Sequence, residues 1–263
     1  MLGKLLKYDM KSLGKSLLPG YVILLIISTL ARVLGELSET FTFLNSITPF
    51  IFLAFILGIV GIGFYTFIAI VIRFYKNIVK EEGYLTNTLP VDKHSIVLSK
   101  LISSNMYYIF TTIIMVLSFF IVVHGKIDFG KIGQVYEQII NALHFSVAEA
   151  NMYIIFMIIL TNINNIIMVY LAIAFGQTKN DKKVMYSVVS WIVIYMVLQT
   201  VSGMFGFTLA LFNEELRKMS ANTIPSRSLM IALLFPTTIV SIIEPVIMYF
   251  LTVRTLNKSL NVE

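Results

Sequence analysis

Six long apolar runs, separated by polar or basic stretches, dominate the pattern of this chain. They cover about residues 17–34, 49–72, 101–123, 152–175, 184–212 and 228–253. Each approaches or exceeds the ~20 residues that a helix needs to cross a hydrocarbon core. None alternates strictly between apolar and polar, so barrel strands are not predicted. Backbone groups in lipid must pair within their own segment, which predicts helices. The expected fold class is therefore all-α: a polytopic membrane protein with six transmembrane helices in a single membrane domain, 1–263.

The first sixteen residues follow a different pattern. Leu2, Leu5, Leu6, Leu13 and Leu17 fall on one helical face, and Lys4, Lys7, Lys11 and Lys15 on another. That predicts an amphipathic interfacial helix over 1–16 at the cytoplasmic surface. Its lysines would reach anionic headgroups. It would serve as an anchor or transmit motion. The start MLGKLLKYDMK carries lysines throughout and no small-residue cleavage site, unlike a cleaved signal peptide.

Composition agrees with the pattern. Hydrophobic residues make up 57% of the 263 and charged ones 13%, with a mean hydropathy of +0.86. A soluble protein this apolar could not cover its surface with polar groups. The net charge of +6 would suggest nucleic acid in a soluble chain. Here it is explained by basic cytoplasmic loops, so no nucleic-acid partner is expected. Fourteen of the twenty Lys and Arg lie in the amino terminus, the second and fourth connections and the carboxy terminus; six lie on the other side. The positive-inside rule then puts both termini in the cytoplasm of a multi-pass plasma-membrane protein.

Candidate chemistry is sparse. Cysteine is absent, which excludes disulfides and thiolate metal sites. Gly14-Lys15-Ser16 looks like the end of a P-loop, but position 9, where a glycine is needed, is Asp. His94, His124 and His144 are far apart and form no metal-binding pair. Ser202 has no intramembrane histidine to activate it, and Glu214-Glu215 sits in a polar connection. No metal and no catalytic residue is expected.

Polar residues inside spans are costly and so stand out. Glu244, about 15 Å along the helix from Arg254, is either a translocation-path acid for a cationic substrate or a structural hydrogen-bonding group beside Pro245. Asn162 and Asn165 share a face at i, i+3 and would line a polar path or join helices. Gly58, Gly61 and Gly63 would allow close helix approach.

The connection between the second and third spans is the most informative. Across 76–95 it includes Glu81-Glu82-Gly83-Tyr84-Leu85-Thr86-Asn87-Thr88-Leu89-Pro90-Val91. Leu85 and Leu89 share a face at i, i+4, Pro90 ends any helix there, and Asp92 can cap the next one. An apolar ridge on an exposed loop suggests a protein partner.

These residues, with Ser99-Lys100-Leu101 and the Asn-rich tail from Leu256, resemble the corresponding run of ABC-2-type permeases, the membrane subunits of ABC transporters of Gram-positive bacteria. The resemblance implies that Glu81, Glu82, Gly83, Tyr84, Leu85, Leu89 and Pro90 belong to a coupling helix. That helix would dock on an ATP-binding subunit, present in two copies. It also implies a second permease subunit, identical or homologous, and export through a pathway between the two. The chain itself would be no enzyme and bind no cofactor, ATP and Mg residing on the partner. Peptides or amphipathic compounds are the preferred substrates. A membrane-embedded sensor or scaffold without transport, and an intramembrane hydrolase, are the alternatives.

Overall fold

The computed structural model describes residues 2–38, 40–79, 92–125, 127–179, 181–212 and 226–258. Among the described residues all regular structure is helical. It comprises α1 (Leu2–Leu37), a short 3₁₀ turn (Thr42–Ser46), α2 (Thr48–Val79), α3 (Lys93–Val123), α4 (Phe129–Ala142), α5 (Val147–Gly176), α6 (Lys183–Phe212) and α7 (Arg227–Lys258). All but α4 and the 3₁₀ turn are long and apolar enough to cross a membrane, which makes six such helices among the described residues. Each contains one of the six runs read from the sequence. The helices extend past the runs because a helix does not stop at the lipid boundary.

The chain divides into two compact units, Met1–Asp128 and Phe129–Glu263. In the first, α1 packs against both α2 and α3. The buried stripe of α1 explains how: Leu13, Leu17, Tyr21, Leu24, Ser28, Ala31 and Gly35 recur at intervals of three and four. That spacing keeps one seam facing its neighbours along the whole helix. Lipid tails are as apolar as leucine, so close packing and hydrogen bonds must hold the seam together. Both are present. A Cβ on Gly14 would lie 2.5 Å from Tyr107 Oη, and one on Gly63 3.0 Å from Met115 Cε. Glycine thus permits these approaches, whereas Gly61 has open space. Buried Tyr21 Oη and Thr66 Oγ1 lie 2.7 and 3.0 Å from Thr111 Oγ1, one hydroxyl from each helix. Contacts of this kind contribute about 1 kcal/mol each in a membrane.

The structure makes one helix of the expected surface segment 1–16 and the first span. Pro19 lies inside α1 without ending it. Tyr107, by donating to the Met10 carbonyl at 2.8 Å, holds the first turns onto α3. At 1.5 Å per residue, α1 is about 54 Å long, so roughly the length of the basic segment extends past a ~30 Å core.

In the second unit, α5 packs against α6 and α7. Its stretch from Ile166 to Ala174 is buried throughout. The helix starts with a reciprocal cap: Ser146 Oγ accepts from the Glu149 amide at 3.2 Å, and Glu149 Oε2 accepts from the Ser146 amide at 2.9 Å. Two otherwise orphaned donors are thereby satisfied. The Ser146 backbone amide, its hydroxyl and nearby Arg227 hold the Glu149 carboxyl below its ordinary range. This carboxyl lies ahead of the apolar run. The connection before α5 contains α4; its Ile132, Val135, Tyr136, Ile139 and Ile140 recur at helical spacing.

Candidate functional site

Two polar constellations stand out in an apolar molecule, one in each unit. The first gathers around Asp9, on the buried stripe of α1 that continues through Leu13 and Leu17. Its carboxylate is buried at 4% exposure, as is Lys100 at 5%. Lys100 Nζ lies 3.2 Å from Asp9 Oδ1, and Arg73 Nη2 lies 3.4 Å from the same oxygen. The Ser99 hydroxyl donates to Asp9 Oδ2 at 3.2 Å. One carboxylate thus ties α1 to the end of α2 and to the start of α3. Buried charges persist only when paired and hydrogen-bonded. This acid meets both conditions.

The position of the cluster matters more than its strength. Residues 80–91 join α2 to α3, and Arg73 and Lys100 flank that connection. Glu81, Glu82, Gly83, Tyr84, Leu85, Leu89 and Pro90 lie outside the described residues. Their flanks are described. Asp92 holds the N-cap position of α3 with extended backbone, but its side chain makes no cap hydrogen bond. The expected side-chain cap is therefore not made; the Asp92 carbonyl accepts the first helical bond, from the Ile96 amide at 3.2 Å.

The second constellation surrounds Glu244, near the middle of α7. Asn164 Nδ2 on α5 donates to Glu244 Oε2 at 3.0 Å. The Ser202 hydroxyl on α6 donates to Glu244 Oε1 at 3.1 Å. Three helices of the unit thus converge on one acid. They bound a recess of about 190 Å³, whose polar lining comprises Thr161, Asn165, Tyr195, Gln199 and Ser241 besides the three bonded residues. Both carboxylate oxygens accept from neutral donors. None of the described ion pairs involves Glu244. Asn164 Oδ1 is buried without a hydrogen-bond partner among the described residues.

The structure thus brings Glu244 and Asn165 to one recess. Asn162 is not part of its lining, and its Nδ2 is buried without a partner among the described residues. Asn164, not singled out from the sequence, makes the contact instead. The pattern i, i+3 selects residues that share a face, but not the face that meets α7. Asp9 was also missed. A single acid within a basic segment was the available signal, since an acid among lysines needs a reason to be there.

The second unit also has an apolar cleft of about 630 Å³ lined by Ile140, Tyr153, Met230 and Phe235, with Glu149 and Arg227 in its wall. That pair is 3.3 Å apart, and Tyr153 Oη lies 3.0 Å from Thr238 Oγ1 in the same lining. No group of three or more His, Asp or Glu suited to a metal occurs among the described residues. Compared with protein-family models, with curated proteins and with solved structures, the chain gives no match.

Proposed function

We propose that this chain is the permease subunit of an ABC transporter of the ABC-2 type. It lies in the plasma membrane with both termini in the cytoplasm. It forms part of the translocation pathway beside a second permease, identical or homologous. Separate ATP-binding subunits, two copies per transporter, supply the energy for export of a peptide or amphipathic compound.

The Asp9 cluster is the observation that carries this reading. A loop that receives force from a motor must be joined stiffly to the helices it moves. Here a buried carboxylate fastens the helices on either side of residues 80–91 to a third helix. Displacement of the loop would therefore be shared by α1, α2 and α3 rather than absorbed at the flanks. The Leu85 and Leu89 ridge would supply the docking face. ATP drives such a cycle only if the partner binds the two permease conformations with different affinity.

Leu85→Asp or Leu89→Asp should release the ATP-binding subunit in a mild-detergent pull-down while membrane insertion stays normal. A charge placed on an apolar docking ridge forfeits contact and leaves an unpaired buried group. Normal co-purification of the ATPase with both variants would reject the docking role. Failure of the unaltered chain to bring down any ATPase would reject the permease reading itself.

A further inference from the structure

We infer that the Glu244 recess binds a primary ammonium group carried by the transported molecule, which makes the substrate cationic. The inference rests on the permease reading and adds the chemistry of what passes.

The recess is rich in acceptors and poor in positive charge. Glu244 offers two oxygens, each already accepting from a neutral donor, and no described ion pair neutralises it. Asn164 Oδ1 is a second, buried acceptor with no partner among the described residues. Pro245 adds a third. It has no amide hydrogen, so the Ser241 carbonyl loses its helical donor four residues on, and Ser241 lines the recess. An ammonium group has three donors and no acceptor, which suits three underused acceptor groups. Tyr195 adds an aromatic ring to the lining, and such rings attract cations. The volume of about 190 Å³ admits the end of an aminoalkyl chain.

Depth separates this ligand from a lipid headgroup. Glu244 is about 26 Å from the start of α7 and about 21 Å from its end at 1.5 Å per residue. Headgroup ammonium stays at the interface, so a cation at this level belongs to a molecule in transit. Thr161, Asn165, Gln199 and Ser202 are exposed on the unit's outer surface, which leaves the recess open to an entering ligand.

The chain provides its own reporter. Trp191, the one tryptophan, stacks on the recess residue Tyr195 with ring centroids 6.2 Å apart and an interplanar angle of 24°. The test titrates n-butylammonium into the purified full chain in phosphatidylglycerol nanodiscs and follows Trp191 emission. A saturable change is expected. In Glu244→Gln the apparent affinity should fall about tenfold, the loss of a charged hydrogen-bond acceptor. Glu149→Gln, at the cap of α5, should titrate like the unaltered chain. Should Glu244→Gln fail to fold, the exposed change Gln199→Leu is expected to weaken binding several-fold.

An equal response to n-butanol or sodium, or unaltered binding in the acceptor variants that fold, would overturn the assignment. Adding phosphatidylethanolamine to the nanodiscs should leave the titration unchanged. Competition by that lipid would overturn the transported source. No ATPase is present in this assay, so its failure removes the ammonium site alone. The absence of an ATPase partner in the pull-down removes the permease reading.

Discussion

A carboxylate in the first turns of a basic segment decides how the first unit is held together. Asp9 and Lys100 are both buried, so removing the acid takes away the carboxylate that Lys100 pairs with. Asp9→Ala should cost roughly 3–5 kcal/mol, as expected when a buried pair loses one member. Combining it with Lys100→Met should recover much of that loss, because apolar replacement of both partners is often neutral. Thermal unfolding in detergent measures both. An unchanged midpoint for the single variant, or a double variant no better than the single, would reject the clamp. Local sequence was a poor guide at this scale. Glu244 stood out because any acid inside a span does. Its partner did not, since the choice among Asn162, Asn164 and Asn165 depends on how α5 is rotated against α7. Asp9 was hidden by the opposite effect: four lysines made its surroundings look wet, whereas α3 buries it.

Existence and order of elements were far more legible. The six runs predicted six helices, and each lies within an observed one. Helix ends were not legible, because they depend on caps rather than hydropathy. The serine-to-glutamate cap at Ser146 and Glu149 moves the start of α5 five residues ahead of the expected Met152. A 14-residue helix, α4, was passed over because it is too short to span and its apolar periodicity lies among charges. Packing between elements makes a prediction of its own at the α5–α6 turn. A Cβ on Gly176 would meet the Lys183 carbonyl oxygen and the Ser187 amide nitrogen, both at 2.8 Å. Backbone atoms cannot swing aside. Gly176→Ala should therefore destabilise the protein by about 1–3 kcal/mol, the cost of overpacking. Gly203→Ala, with open space around it, should be close to neutral. Unfolding midpoints of the two variants check this; equal midpoints would show that the turn yields freely.

At the scale of the whole molecule, the surface is largely apolar. Large side chains such as Phe64, Met196, Phe207 and Phe250 stand exposed along the spans, as lipid requires and water would forbid. Sidedness rests on the bias of basic residues, fourteen against six. Absence of cysteine makes this directly measurable. A cysteine introduced at Lys7 or Asn257 should react with an impermeant maleimide only after the cells are opened. One at Glu137 should react in intact cells. The reverse pattern would invert the proposed topology. The Asp9 contact also bears on the order in which such a chain is built. Synthesis delivers α1 well before Lys100 exists, so the young amino-terminal helix holds a carboxylate whose buried partner has not yet emerged. It must wait at the watery edge of the insertion machinery until the third helix leaves the ribosome. A fragment that stopped after two spans would leave that acid with Arg73 alone for a partner, a ready mark for cellular quality control.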